Sequence, residues 1–340
     1  MRRSASPLSL VLLGVGVFLL VLAPMLVWYV KPRAAVNPID IDVTAVYKGS
    51  GDYFDVDEAE TVEDRPITVT QRVRGDVSES EHSGNAVWDI VTTVDTEKSL
   101  PAADPHDALD FATARWVTDR RTNRPVHCCD EQPYHEGEAY LKFPFDVEKR
   151  AYRWWDSTGD TTVTLSYQGT EKVRGYQGYV FTGKVAPMKV GTRQVPGALV
   201  DRPESSQVIA EEWYSNHGIK LIVDQATGRT LYAEIGPRRT LRAPGADEDA
   251  VTLLDVEKLA FTPATQKFAV EKAETDSGQL KALGTTVPVA GALAGLLLAL
   301  AGGVLLARGR RDGGSGPEDA GPPPEPAPAP PAELTPTARP

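Results

Sequence analysis

The chain has 340 residues, 41% hydrophobic and 24% charged, enough for one large or two ordinary domains with a buried core. Its net charge is −11, and without Arg2, Arg3 and everything after Ala307 there remain 30 basic residues against 42 acidic ones. An interior stretch this acidic excludes nucleic acid as its partner and argues against an anionic lipid surface.

The first element is Leu8–Val30, LSLVLLGVGVFLLVLAPMLVWYV, which holds no charged residue. At about 1.5 Å per residue, a helix of this length crosses a hydrocarbon core of about 30 Å. A basic start before an apolar run also describes a secretory signal, but this run exceeds the roughly 7–15 residues of a signal core. Pro24 follows Val21-Leu22-Ala23 and disfavours cleavage there, and Arg33 spoils the Ala34-Ala35 alternative. The expectation is an uncleaved signal anchor over 8–30 behind a short cytoplasmic N-terminus, 1–7, with Pro24 kinking its last turns.

Residues 31–284 read as an extracytoplasmic, β-rich domain. Ile39, Ile41 and Val43 alternate with Asp40 and Asp42 as the chain leaves the apolar run, which is strand periodicity. An acidic patch follows from Asp52 to Asp64; it lacks the D-x-[DN]-x-[DN]-G loop of a calcium site and reads as a solvated face. Period-two patterns then recur at 67–74, 86–94, 161–167, 179–185, 208–214 and 219–223, rich in Val, Thr and aromatics and punctuated by Gly, Asp or Asn. They predict a mainly β fold: an antiparallel sheet, sandwich or open barrel flanked by two transmembrane α-helices.

Two turns share one pattern. Val117-Thr-Asp119-Arg-Arg-Thr122-Asn123-Arg124 and Val223-Asp224-Gln-Ala-Thr227-Gly228-Arg229 both run strand, Asp, two residues, Thr, then Asn or Gly, then Arg. Asp and Thr side chains close such turns on backbone N–H groups, and Asn or Gly accepts positive φ, so each predicts a hairpin. Between Phe143 and Asp156, the aromatics Phe143, Phe145, Tyr152, Trp154 and Trp155 interleave with Lys142, Lys149, Arg150 and Arg153. These five aromatics are the candidate ligand-binding residues, with core packing as the alternative. Trp154 and Trp155 are adjacent on a strand, so one is expected inside and one outside.

Thr262-Pro263 supplies an N-cap and first helical residue for a helix running toward Leu283, the one soluble helix expected. A second uncharged stretch, Leu283–Ala307, predicts a transmembrane helix over 285–307, with Gly291-x-x-x-Gly295 as a contact face toward the first. Arg308, Arg310 and Arg311 directly after it place both termini in the cytoplasm and make the chain a two-span membrane protein. The tail, 308–340, is Gly/Pro-rich and cannot bury a core; it is expected to be disordered, a spacer or a docking segment for a cytoplasmic partner.

Candidate chemistry is sparse. The only cysteines, Cys128 and Cys129, are adjacent and can form a vicinal disulfide, stay reduced, or pair between chains; the exported setting favours oxidation. His127, Cys128, Cys129 and His135 lack the spacing of a zinc site, so no metal or cofactor is assigned. His135-Glu136-Gly137-Glu138 falls short of H-E-x-x-H, and neither G-x-S-x-G nor a phosphate-binding loop occurs. No catalytic residue is assigned, and an enzyme is the less favoured reading.

Lys142-Phe-Pro-Phe145-Asp-Val-Glu-Lys149 leading to Tyr152 and Trp155-Asp156, the Asp119-Arg-Arg-Thr122 turn and the two terminal spans together resemble the PorA family of high-GC Gram-positive bacteria. The resemblance covers roughly Leu8 to Ala307 and implies a cell-envelope protein of two spans. It implies no catalytic residues. Outer-membrane porins cross with strands in closed barrels, whereas this chain has two long apolar segments, so the porin label is taken as a name. The leading expectation is a double-anchored envelope protein that binds a lipid, an envelope polymer or a protein through its β-domain. An envelope-acting hydrolase or transferase and a porin-like or pore-assembly component are the alternatives.

Overall fold

The computed structural model describes residues 7–99 and 108–311; the Pro-rich tail read from the sequence lies outside them. Among the described residues, the helices are α1 (Pro7–Met25), α2 (Lys31–Ala34), α3 (Val77–Ser83), α4 (Pro263–Lys281) and α5 (Val287–Arg311). The strands are β1 (Asp42–Asp55), β2 (Glu60–Gly75), β3 (Ala86–Asp95), β4 (Asp110–Thr118), β5 (Tyr152–Asp156) and β6 (Thr161–Val173). They continue with β7 (Tyr176–Val195), β8 (Val208–Val223), β9 (Thr230–Arg242), β10 (Val251–Asp255) and β11 (Leu259–Phe261). Two helical runs, Pro7–Ala34 and Pro263–Arg308, are long and apolar enough to cross a membrane. The described residues divide into two compact units, one of 7–23 with 289–311 and the other of 24–99 with 108–288.

In the first unit the apolar helices meet at small residues. A Cβ on Gly16 would lie 2.5 Å from the Ala299 nitrogen, and one on Gly295 would lie 2.8 Å from the Gly16 carbonyl oxygen. A Cβ on Gly302 would come within 2.7 Å of the Leu13 nitrogen. Without side chains at these positions the backbones approach closely, which is how helices gain packing in lipid. The Gly291-x-x-x-Gly295 face is corrected in one member, because a Cβ on Gly291 would meet nothing of the other helix within 4 Å. The stripe is Gly295, Ala299 and Gly302, one helical face at spacings of four and three.

The second unit is an antiparallel sheet in the order β4-β3-β2-β1-β10-β9-β8-β7-β6-β5, with β11 pairing both β1 and β9. The alternation read from the sequence sets its faces. On β2, Ile67, Val69 and Val73 are buried; on β3, Ala86, Trp88 and Ile90 are buried on one face. The 208–214 and 219–223 patterns belong to one long strand, β8, interrupted by an irregularity between Asn216 and Ile219.

A flat sheet of these ten path strands would be about 43 Å wide at about 4.8 Å per strand. Yet the segment joining β4 to β5 pairs with both edges. Arg115 on β4 and Gln132 exchange backbone hydrogen bonds of 2.7 and 3.2 Å, while Trp155 on β5 donates to the Ala139 carbonyl at 2.8 Å. Gln132 and Ala139 are seven residues apart, a reach of about 25 Å at full extension. The sheet is therefore curled, and the segment fills the gap between its edges. Rings complete the joint: Trp88–Trp116, Trp116–Tyr140, Tyr140–His135 and His135–Trp155 stand 5.3–5.5 Å apart. Deleting one of these buried rings costs about 3–5 kcal/mol.

Helix α4 starts as expected, with the Thr262 hydroxyl accepting from the Thr265 N–H at 3.3 Å and Pro263 in the first turn. Its Val270 and Ala273 pack on Val180, Ile222 and Leu231 of the sheet. The structure adds an unexpected helix, α3, capped by Asp76 on the Glu79 N–H at 3.0 Å and ended by Gly84 at φ 74°. π-helical turns at Leu26–Val30 and Ala282–Thr286 follow Pro24 and precede Pro288. Proline's missing N–H is a common origin of such irregularity.

Replacing Gly295 by Leu should overpack the helix pair and destabilise it by about 1–3 kcal/mol, whereas Gly291→Leu should be near neutral. Thermal unfolding of the two full-length variants in detergent checks the difference.

Candidate functional site

The two similar turns fold alike and converge on one segment. Asp119 accepts from the Thr122 N–H at 2.7 Å and the Thr122 hydroxyl at 2.8 Å; Asp224 accepts from the same Thr227 groups at 2.7 and 2.5 Å. The Thr122 N–H is the main reason the Asp119 carboxyl sits below its ordinary range. At the left-handed position stand Asn123 (φ 57°) and Gly228 (φ 72°). A Cβ on Gly228 would collide with the Phe143 carbonyl oxygen, so this turn requires glycine for space as well as for φ.

Between the turns lies Lys142-Phe143. Asn123 Nδ2 donates to the Lys142 carbonyl at 2.5 Å, and the Phe143 N–H donates to the Gly228 carbonyl at 2.8 Å. Lys142 Nζ donates to Asn37 Oδ1 at 2.5 Å, and Asn37 Nδ2 donates to Asn123 Oδ1 at 2.6 Å, closing a ring of three residues through the Lys142 carbonyl. Asn37 and Asn123 are fully buried, so each unmade bond here would carry a desolvation cost of about 1–3 kcal/mol.

Inside the curled sheet lies a cavity of about 690 Å³, within the roughly 300–1,000 Å³ of ordinary ligand sites. Most of its wall is apolar, with Tyr47, Val69, Leu221, Ala233, Ile235, Phe261 and Phe268 among the lining residues. Of the five aromatics picked from the sequence, Phe145 and Trp154 line this cavity. Phe143 and Tyr152 are instead packed in the core with Phe181, and Trp155 is buried in the ring cluster at the joint. Trp154 is half-buried, its indole N–H donating to the Tyr140 carbonyl at 2.7 Å.

The cavity's polar groups were missed in the sequence because they come from distant elements. Tyr214 donates to Asp156 at 2.7 Å, Asn216 donates to the Tyr214 hydroxyl at 3.2 Å, and burial holds the Asp156 carboxyl above its ordinary range. Lys142 and Arg229 join the wall elsewhere, with Lys142 Nζ 3.5 Å above the Phe145 ring centroid. Lys142 keeps part of its surface exposed, and because it lines the cavity this exposure faces a confined space. Burial there, with Arg229 nearby, pushes its ammonium well below the ordinary range.

The histidine region forms a different kind of cluster. His135 is fully buried between Tyr140 and Trp155, and its Nδ1 lies 3.1 Å from Glu131. Glu136 and Glu138 pair with Arg153 and Arg150. His127 stacks on Tyr134 at 3.9 Å and contacts Glu131 at 2.7 Å. The Cys128 and Cys129 sulfurs lie at bonding distance in this same joining segment. Asp55, in the acidic patch, is held by Lys98 and by the N–H groups of Asp57 and Glu58. Among the described residues, no group of three or more His, Cys, Asp or Glu is placed to hold a metal ion.

Fold and cavity define an antiparallel β-domain hollowed by an apolar chamber, carried by a chain with two helices fit to cross a membrane. The chain belongs to the porin PorA family, whose family model matches residues 8–304. No curated protein matches it.

Burial lowers the His135 pKa from its ordinary 6.5, outweighing the neighbouring Glu131. The unfolded chain then binds the proton more readily, so stability should fall as pH drops through 6.5 toward the folded value. Urea midpoints of the full chain between about pH 7 and about pH 5 should show this loss, and His135→Phe should flatten that part of the profile.

Proposed function

We propose that the chain is a two-span envelope membrane protein that binds a lipid in the cavity of its β-domain. In this reading residues 8–30 are an uncleaved anchor and 285–307 the second span. Residues 31–284 lie outside the cytoplasm and both termini inside it, as the arginines after Ala307 favour. The observation that carries the proposal is the chamber of about 690 Å³ with its apolar wall, to which Phe145 and Trp154 contribute. Chain connectivity adds support. Ala34, which ends the first apolar helix, and Leu280 and Leu283, which belong to the second, also line the chamber. The helices that would sit among lipids thus supply part of a wall suited to lipid.

The exterior of the β-domain supports water around it. Between residues 36 and 262 the large apolar side chains that stand exposed among the described residues are Val56, Val77, Phe111, Tyr134 and Ile209, scattered singly. A sheet crossing lipid presents a continuous outward apolar band. A pore or pore-assembly role is the second reading, favoured by family membership.

Purified full chain should carry about one lipid per molecule, found by extraction and mass spectrometry, and Ala45→Phe, which intrudes on the chamber, should lower that occupancy severalfold. A lipid-free protein with unchanged stability in both forms would overturn the proposal, and conductance of the purified chain in planar bilayers would favour the pore. The same extracytoplasmic placement makes Cys128–Cys129 a vicinal disulfide. Alkylation of denatured, unreduced protein should label neither cysteine; labelling of both would overturn that pairing.

A further inference from the structure

The cavity wall gathers several cations. At the end where β8 turns into β9, Lys142, Arg229 and Lys272 all line it, with Asp276 as the nearby lining carboxylate. Asp276 is engaged by Arg229 at 3.0 Å, which leaves the buried Arg229 Nε without an acceptor. Lys142 has an amide oxygen and a ring as neighbours, and among the described residues neither it nor Lys272 forms an ion pair with a carboxylate. Asp224, the next acid, is already occupied by Tyr176, Thr227 and Ser277.

Asp40, Asp42 and Asp156 are the other carboxylates in the lining; Asp42 is paired with Arg72, and Asp156 accepts from Tyr214. Val223 pairs with Thr230 beside the cations, and Tyr214 pairs with Arg239 further along β8. The apolar part of the lining includes Leu221, Ala233 and Phe261.

Lys142, partly buried in this wall without a carboxylate partner, loses hydration with little return, whereas Lys272 is exposed. We propose that the cavity's ligand is an amphiphile with an anionic head, a carboxylate or a phosphate, held by Lys142, Arg229 and Lys272, with its hydrocarbon chain along Leu221, Ala233 and Phe261. This rests on the lipid-binding reading of the same chamber and adds the polarity of the ligand and its direction. The anion supplies the acceptor that Arg229 Nε lacks and the counter-charge that Lys142 lacks, with the exposed Lys272 beside them. Charge-assisted hydrogen bonds in a confined site are the strong ones.

The test uses the full chain in amphipol and the quenching of its tryptophans, of which Trp88 and Trp154 line the cavity. The probes are dibromostearic acid, its uncharged methyl ester and a dibromostearoyl phosphatidic acid. Both anionic probes should bind at least about tenfold more tightly than the ester. Lys272→Met, which removes a side chain without bonded partners, should narrow that ratio severalfold and leave ester binding unchanged. Lys142→Met should narrow it further, and Lys142→Arg should restore it. Equal binding of acid and ester by the unaltered chain, or variants that weaken both alike, would overturn the anionic head while leaving the lipid reading intact. Absence of quenching by every acyl probe would overturn the lipid reading and this inference with it. Inorganic phosphate that protects against unfolding while no acyl probe binds would also overturn it, marking a free-anion site.

Discussion

The curled sheet is closed by side chains where strands do not meet. Strands β4 and β5 end the ladder, and each would expose unpaired backbone groups if the segment between them did not lie across both. That segment has little regular structure, so its hold comes from a few backbone bonds and from Trp88, Trp116, Tyr140, His135 and Trp155 in edge-on and tilted contact. The chamber exists because this joint holds the sheet curled. If the joint were absent, the inward faces of β1, β2, β8 and β9 would be one side of an open sheet, with Val69, Leu221 and Ala233 facing solvent.

A second constraint sets where the chamber ends. The chain following the first apolar helix is tied at Asn37 to Asn123 and Lys142, and the neighbouring residue Phe143 is tied to Gly228. Three stretches far apart in sequence therefore share one buried polar ring. The backbone carbonyl and the ammonium of Lys142 serve different partners, so one residue both fixes the segment and presents a cation to the cavity. Two copies of a local turn motif, each closed by its own Asp and Thr, make the ring possible by presenting Asn123 and Gly228 in the left-handed conformation.

Local chemistry made much of this readable beforehand. Alternating Val and Thr marked β2, β3, β6 and β7, Thr262-Pro263 marked the start of α4, and the two Asp-x-x-Thr turns announced hairpins that the structure contains. Helix α3 was harder, since its seven residues give too few turns for periodicity; Asp76, Glu79 and Gly84 were its only local signs. Of the adjacent Trp154 and Trp155 one was expected inside and one outside; instead Trp155 is buried at the joint and Trp154 is half-buried against the cavity, so neither stands outside. That Phe145 and Trp154 line the chamber while Phe143 and Tyr152 fill the core depends on which face of the sheet curls inward. No nearby residue encodes that. The cationic end was invisible for the same reason: Lys142, Arg229 and Lys272 come from three elements brought together by closure alone.

The joint between β4 and β5 also gives the ring a seam. Elsewhere its circumference is fixed by ladder hydrogen bonds, so widening it would break many at once. Along the seam a few backbone bonds at each edge and a set of ring contacts replace a continuous ladder, and ring contacts can slide before they are lost. The chamber's girth is thus least stiff along one line, the line that carries the adjacent cysteines. A guest bulkier than the resting chamber would be accommodated there first, with the remaining strands moving as a unit.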